Sequence, residues 1–102
     1  MTSTAEQASA LGRLGRALEA ALQTLRDFDA AQAAPPSDPD KKRRGLLVAE
    51  AGYALWLFVV QREACGLRDS RAVMRDYAVP ADVQARMGLP PPQPQGKRRR
   101  AV

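Results

Sequence analysis

The run "GLLVAEAGYALWLFVV", residues 45–60, constrains the fold more than any other stretch. Its sixteen residues are almost all apolar, with Glu50 among them, and it stops abruptly at Gln61. A membrane-spanning helix needs about 20 predominantly apolar residues, and a central acid costs on the order of 2.5–3.5 kcal/mol in such a span. The run is therefore read as a core helix of a protein body, and no membrane insertion is expected. A helix apolar nearly all round has to be enclosed, and one neighbouring helix cannot do that. The remaining cover must come from further helices of the chain or from a second copy.

The stop itself has a mechanical reading. Gly66 stands where a residue of left-handed backbone closes a helix, and Leu67 after it is placed for the apolar contact that completes a Schellman motif. Arg62 falls in the last turn, where a cation suits the helix dipole. Cys65 then belongs to the end of a core helix, and a free cysteine there is a small hydrophobe rather than a nucleophile. The predicted element is a helix over 45–65.

Before it comes the most regular pattern in the chain. Leu11, Leu14, Leu18, Ala21, Leu25 and Phe28 follow a 3-4-3-4-3 spacing, with Leu22 widening the stripe on one side. Such a seam predicts a helix that packs on another helix in coiled-coil fashion. Two overlapping capping boxes, Ser3–Glu6 and Thr4–Gln7, mark its start, so the helix is read over 4–33. "APPSDPD" ends it, because proline lacks the amide donor and excludes helical geometry from the residue before it. The tetrad Lys41, Lys42, Arg43, Arg44 follows. Four cations at a helix start oppose the macrodipole, so residues 34–44 are expected to be a Pro-rich, basic linker.

Downstream, Asp69 or Ser70 can cap a short helix over 70–77. Pro80 suits the first position of another over 80–88, where Gly88–Leu89 repeats the stop signal. Residues 90–102, "PPPQPQGKRRRAV", have nothing to bury and are expected to form a disordered basic tail. Few β-branched residues support strands: isoleucine is absent and valine occurs seven times. The expected class is all-α, a single small helical domain over 1–89. It comprises a two-helix hairpin with a long N-terminal helix and a buried central helix, followed by two short helices. About 75 residues of core-forming chain stabilise a monomer only modestly, which favours self-association.

The net charge of +5 is unevenly placed. Residues 1–40 carry −3, residues 45–95 carry 0, and the two tetrads, 41–44 and 97–100, carry +4 each. The chain has no histidine and one cysteine. No Ser–His or Cys–His pair is available, no Gly-rich phosphate loop occurs, and the acids lack metal-binding spacing. No enzymatic activity, cofactor, metal or small-molecule substrate is expected. Glu50 is the one acid in apolar surroundings, and a hydrogen bond or a cation across a dimer would satisfy it. The opening "MTSTAEQASALGR" has no basic-then-apolar signal pattern, and a cytoplasmic location is expected.

The blocks "FVVQREACGLRD" (58–69) and "DYAVPADVQARMG" (76–88), preceded by "AGYALW", resemble a family of short uncharacterised alphaproteobacterial proteins. The likeness covers about 45–89. It implies a bacterial cytoplasmic context and a compact unit built on the second helix, and it lends no activity and no functional residue.

The expected function is non-enzymatic protein–protein interaction by a self-associating helical protein or one with another protein partner. Leu11, Leu14, Leu18, Leu25, Phe28 and Trp56 are its candidate contact residues. The alternative is a nucleic-acid-associated protein. It would use Lys41, Lys42, Arg43, Arg44, Lys97, Arg98, Arg99 and Arg100, with a degenerate helix-turn-helix-like segment at 70–88. Four phosphate contacts give only weak, strongly salt-dependent attraction.

Overall fold

The computed structural model describes residues 3–32 and 35–89. Four helices follow one another: α1 (Thr4–Ala31), α2 (Asp38–Ala64), α3 (Ser70–Asp76) and α4 (Ala81–Arg86), with no strand among the described residues. The all-α class and the long N-terminal helix are as the sequence predicts.

Of the two overlapping boxes at the start of α1, the first forms. Ser3 Oγ accepts from the Glu6 amide at 3.0 Å, and the Glu6 carboxylate accepts from the Ser3 amide at 2.9 Å. Thr4 is already the first helical residue. At the other end the helix closes at Ala31, with Gln32 as C-cap, and residue 33 lies outside the described residues.

The start of α2 corrects the sequence reading. The helix begins at Asp38 rather than near residue 45, and the tetrad 41–44 is helical rather than part of a linker. Ser37 is the N-cap: its Oγ accepts from the Asp40 amide at 3.2 Å, and Asp40 Oδ2 accepts from the Ser37 amide at 3.3 Å. Pro39 sits in the first turn, where its missing donor has no intrahelical partner to lose. Asp38 and Asp40 precede the cations in that turn, and the dipole penalty fades beyond it. A segment that reads as a breaker is a helix start.

α1 and α2 form an antiparallel hairpin. Asp29, near the end of α1, meets Arg44 in the second turn of α2. Gly15, in the first half of α1, faces the Phe58 ring in the second half of α2. The buried line on α1 runs through Gly15, Leu18, Leu22 and Leu25. It therefore lies one step round from the Leu14–Leu18–Ala21 seam of the sequence pattern, and Leu22 belongs to its centre. Leu18, Leu22, Leu25 and Leu55 are buried to 1 % exposure or less, each stabilising the fold by roughly 1.5–3 kcal/mol relative to an exposed side chain.

α2 ends as the sequence predicts. Gly66 has φ +89°, the Leu67 amide donates to the Arg62 carbonyl at 2.8 Å, and the Gly66 amide donates to that of Glu63 at 3.0 Å. That pair of bonds is a Schellman motif, although Leu67 itself stays exposed. The end of α3 repeats the motif with an unusual residue. The Val79 amide donates to Met74 O at 2.9 Å and the Ala78 amide to Arg75 O at 3.2 Å, while Ala78 holds φ +50°. α3 spans Ser70–Asp76 with Asp69 as N-cap, its carboxylate accepting from the Arg71 amide. α4 is shorter than the predicted 80–88, and Pro80 is its N-cap rather than its first helical residue. Gly88 has φ +88° beyond its end.

Val73, Val79 and Val83 from this C-terminal part complete the core. The Tyr77 ring meets Phe58 edge-on at 5.5 Å between centroids. α4 lies so close to α2 that a Cβ on Gly52 would stand 2.6 Å from Arg86 Cβ. α2 is thus the central helix, covered by α1 on one side and α4 on another. No helix among the described residues is long and apolar enough to cross a membrane.

Candidate interaction surface

α2 keeps a third side uncovered. Leu46, Trp56 and Val60 are 42 %, 39 % and 46 % exposed, and Tyr53 and Leu57 are half-buried beside them. At 3.6 residues per turn, residues 46, 53, 57 and 60 share one stripe, flanked by Glu50 and Trp56. Glu50 is exposed on this face, not enclosed by the apolar run. The Tyr53 and Trp56 rings lie 6.1 Å apart at a 46° tilt, forming a small aromatic shelf in the middle of the stripe. Exposed cations, Lys42 and Arg43, flank the stripe at its N-terminal end, and exposed Glu63 flanks it at the other. An uninterrupted apolar strip edged by charge is the composition of a contact surface rather than of a reaction centre.

The contact residues expected from the sequence divide between inside and outside. Leu18 and Leu25 are wholly buried in the chain's own core, and Leu11, Leu14 and Phe28 pack half-buried against it. The heptad seam is therefore spent on the internal hairpin. Trp56 alone of the six lies open, and Leu46, Tyr53, Leu57 and Val60 are its neighbours on the face. The signal that could have found them is the contrast between an all-round apolar helix and only two covering elements.

The basic tetrad divides too. Lys41, Lys42 and Arg43 are exposed, whereas Arg44 is clamped. Its Nε and Nη2 donate to the two Asp29 oxygens at 2.8 and 3.0 Å, and its Nη1 donates to Asp82 Oδ2 at 2.7 Å. One guanidinium so joins α1, α2 and α4. Hydrogen bonding from Arg44, with its positive charge in addition, holds the Asp29 carboxyl below its ordinary value, and slight burial opposes this. The bonds to Asp29 and then Asp82 hold the Arg44 guanidinium still more firmly protonated than usual. Residues 97–100 lie outside the described residues.

The short helices use their polar groups internally. Asp82 receives Arg44, Gln84 Nε2 donates to the Val79 carbonyl at 3.0 Å, and Arg86 packs on Gly52. Those are the three side chains that a recognition helix at this place would have offered to DNA. Cys65 is half-buried at the α2 C-cap, 3.7 Å from Gln61 Nε2. Among the described residues no group of three or more acids or thiols converges as a metal site requires.

Comparison with known proteins returns one family. The model of a family of unknown function, DUF6665, matches residues 2–95. The match takes in α1 as well as the region around 45–89. No curated protein and no solved structure matches the chain.

Proposed function

The chain belongs to DUF6665, a family without an assigned activity, and we propose that it is a non-enzymatic helical protein that works by self-association. The carrying observation is the open apolar face of α2, with Leu46, Trp56 and Val60 each about two-fifths exposed or more. Burying large apolar side chains contributes roughly 25 cal/mol per Å2 of area removed from water, so a second helix laid on this face gains directly. The total lack of histidine and the single half-buried cysteine support a non-catalytic role. A lone thiol with no possible internal disulfide also fits a reducing, cytoplasmic setting.

The single tryptophan of the chain is on this face, so one chromophore reports on it. Sedimentation equilibrium on the full chain should show mass rising from one chain to two with concentration. The Trp56 emission should shift to the blue in parallel as the indole leaves water. A mass of one chain at every concentration, with an unmoving emission maximum, defeats the proposal.

A further inference from the structure

The open face of α2 carries a symmetry that specifies how a second copy would sit. We propose that two chains pair α2 against α2 in antiparallel sense, with the two-fold axis passing at Tyr53. This rests on the self-association reading and adds its geometry.

Counting outward from Tyr53, the exposed residues match in complementary pairs. Leu46 lies seven residues before it and Val60 seven after, so in a two-fold antiparallel pair Leu46 meets the partner's Val60. Glu50 and Trp56 each lie three residues away, which brings the indole N–H, a donor only, opposite the partner's Glu50 carboxylate. Arg43 lies ten residues before Tyr53 and Glu63 ten after. Each Arg43 therefore faces the partner's Glu63, once at either end. Spacings of seven and ten are close to two and three turns, so all these positions stay near the same side of the helix. The resulting seam is about 30 Å long at 1.5 Å per residue.

Charge decides the direction. In a parallel pair, Lys42 and Arg43 of both chains crowd together at one end and the two Glu63 carboxylates at the other. The antiparallel pair puts cations against acids at both ends and sets the helix dipoles head to tail. It also gives Glu50, an acid standing in an apolar stripe, a partner. A two-fold interface of this kind uses the same patch on both chains.

The test is charge reversal on the full chain, read by sedimentation equilibrium. Arg43→Glu and Glu63→Arg each turn two attractions into two repulsions. Exposed pairs are individually weak, so each single reversal should raise the dimer dissociation constant about tenfold. The double variant, Arg43→Glu with Glu63→Arg, should return it close to the starting value. Both replacements agree with the helix dipole, an acid near the start and a base in the last turn, so folding is preserved and circular dichroism confirms it. A dimer whose single reversals leave it unweakened, or whose double variant is not rescued, overturns the two-fold at Tyr53 while self-association stands. A chain that stays monomeric throughout overturns both.

Discussion

α1 and α2 are nearly the same length, 28 and 27 residues, yet they solve different problems. α1 buries a single line, Gly15–Leu18–Leu22–Leu25, and turns Arg13, Arg16, Glu19, Gln23 and Arg26 to water. One neighbour satisfies it. α2 buries residues on two sides, Leu47, Ala51, Leu55 and Phe58 among those near α1 and Gly52 against α4, and still shows apolar side chains on a third. Two neighbours do not satisfy it. Stability and interaction are thus written on opposite sides of one helix, and substitutions on the two sides should separate them.

The sharpest contrast is between Leu55 and Val60. Leu55 is fully buried, and Leu55→Ala should lower the unfolding free energy by about 3 kcal/mol in urea denaturation. Val60→Ala in dilute protein should change it by only about 0.5 kcal/mol or less, its effect appearing in the dissociation constant instead. Equal losses at the two sites would erase the distinction between the faces.

On the α4 side, Gly52→Ala places a Cβ where Arg86 already sits, at 2.6 Å. Overpacking of this kind costs roughly 1–3 kcal/mol. It should show as faster hydrogen exchange in α4 than in α1, because α4 has to back away while the hairpin keeps its packing. Smaller and of opposite sign is Ala78→Gly. A Cβ in left-handed backbone costs roughly 1–2 kcal/mol, which glycine removes, although glycine also gives the unfolded chain more freedom. A net gain of about 1 kcal/mol in thermal or chemical denaturation is expected.

The smallest effect concerns Asp29 and Arg44. Asp29 titrates below its ordinary value when folded, so the stability it adds is full above about pH 4, the unfolded value. That stability is lost as pH falls through the lower folded value. Arg44 stays charged throughout this range. Both side chains are more than a third exposed, so solvent screening limits the contribution to about 0.5 kcal/mol. Arg44→Met should flatten that part of the acid-unfolding profile. An unchanged profile would show that the clasp adds nothing to stability.

Local rules made much of this fold legible. The Ser3–Glu6 box, the Asp69 cap and the Gly66 stop are each decided within a few residues, and each formed where its pattern lies. The start of α2 was missed because its cations were weighed before its cap. Ser37, Pro39 and Asp40 carry a start signal that overrides the mild repulsion of the residues after them. The line of burial on α1 was displaced because Gly15 has no apolar side chain to enter a periodicity count, yet it is where Phe58 and Tyr77 come closest. The face of α2 was only partly readable. Period alone does not say which side of an all-apolar helix goes uncovered, because that depends on where α4 returns. Ion pairs spanning long sequence separations, such as Arg44 with Asp82, leave no local trace.

The clasp at Arg44 has a kinetic consequence. Its two carboxylates lie 15 residues before it and 38 after it in the chain, so it cannot close until the ends of three helices have already been gathered. Interactions made after the folding barrier hold the native state shut without hastening its formation. The guanidinium therefore acts as a latch: losing it should speed unfolding and leave the refolding rate almost untouched.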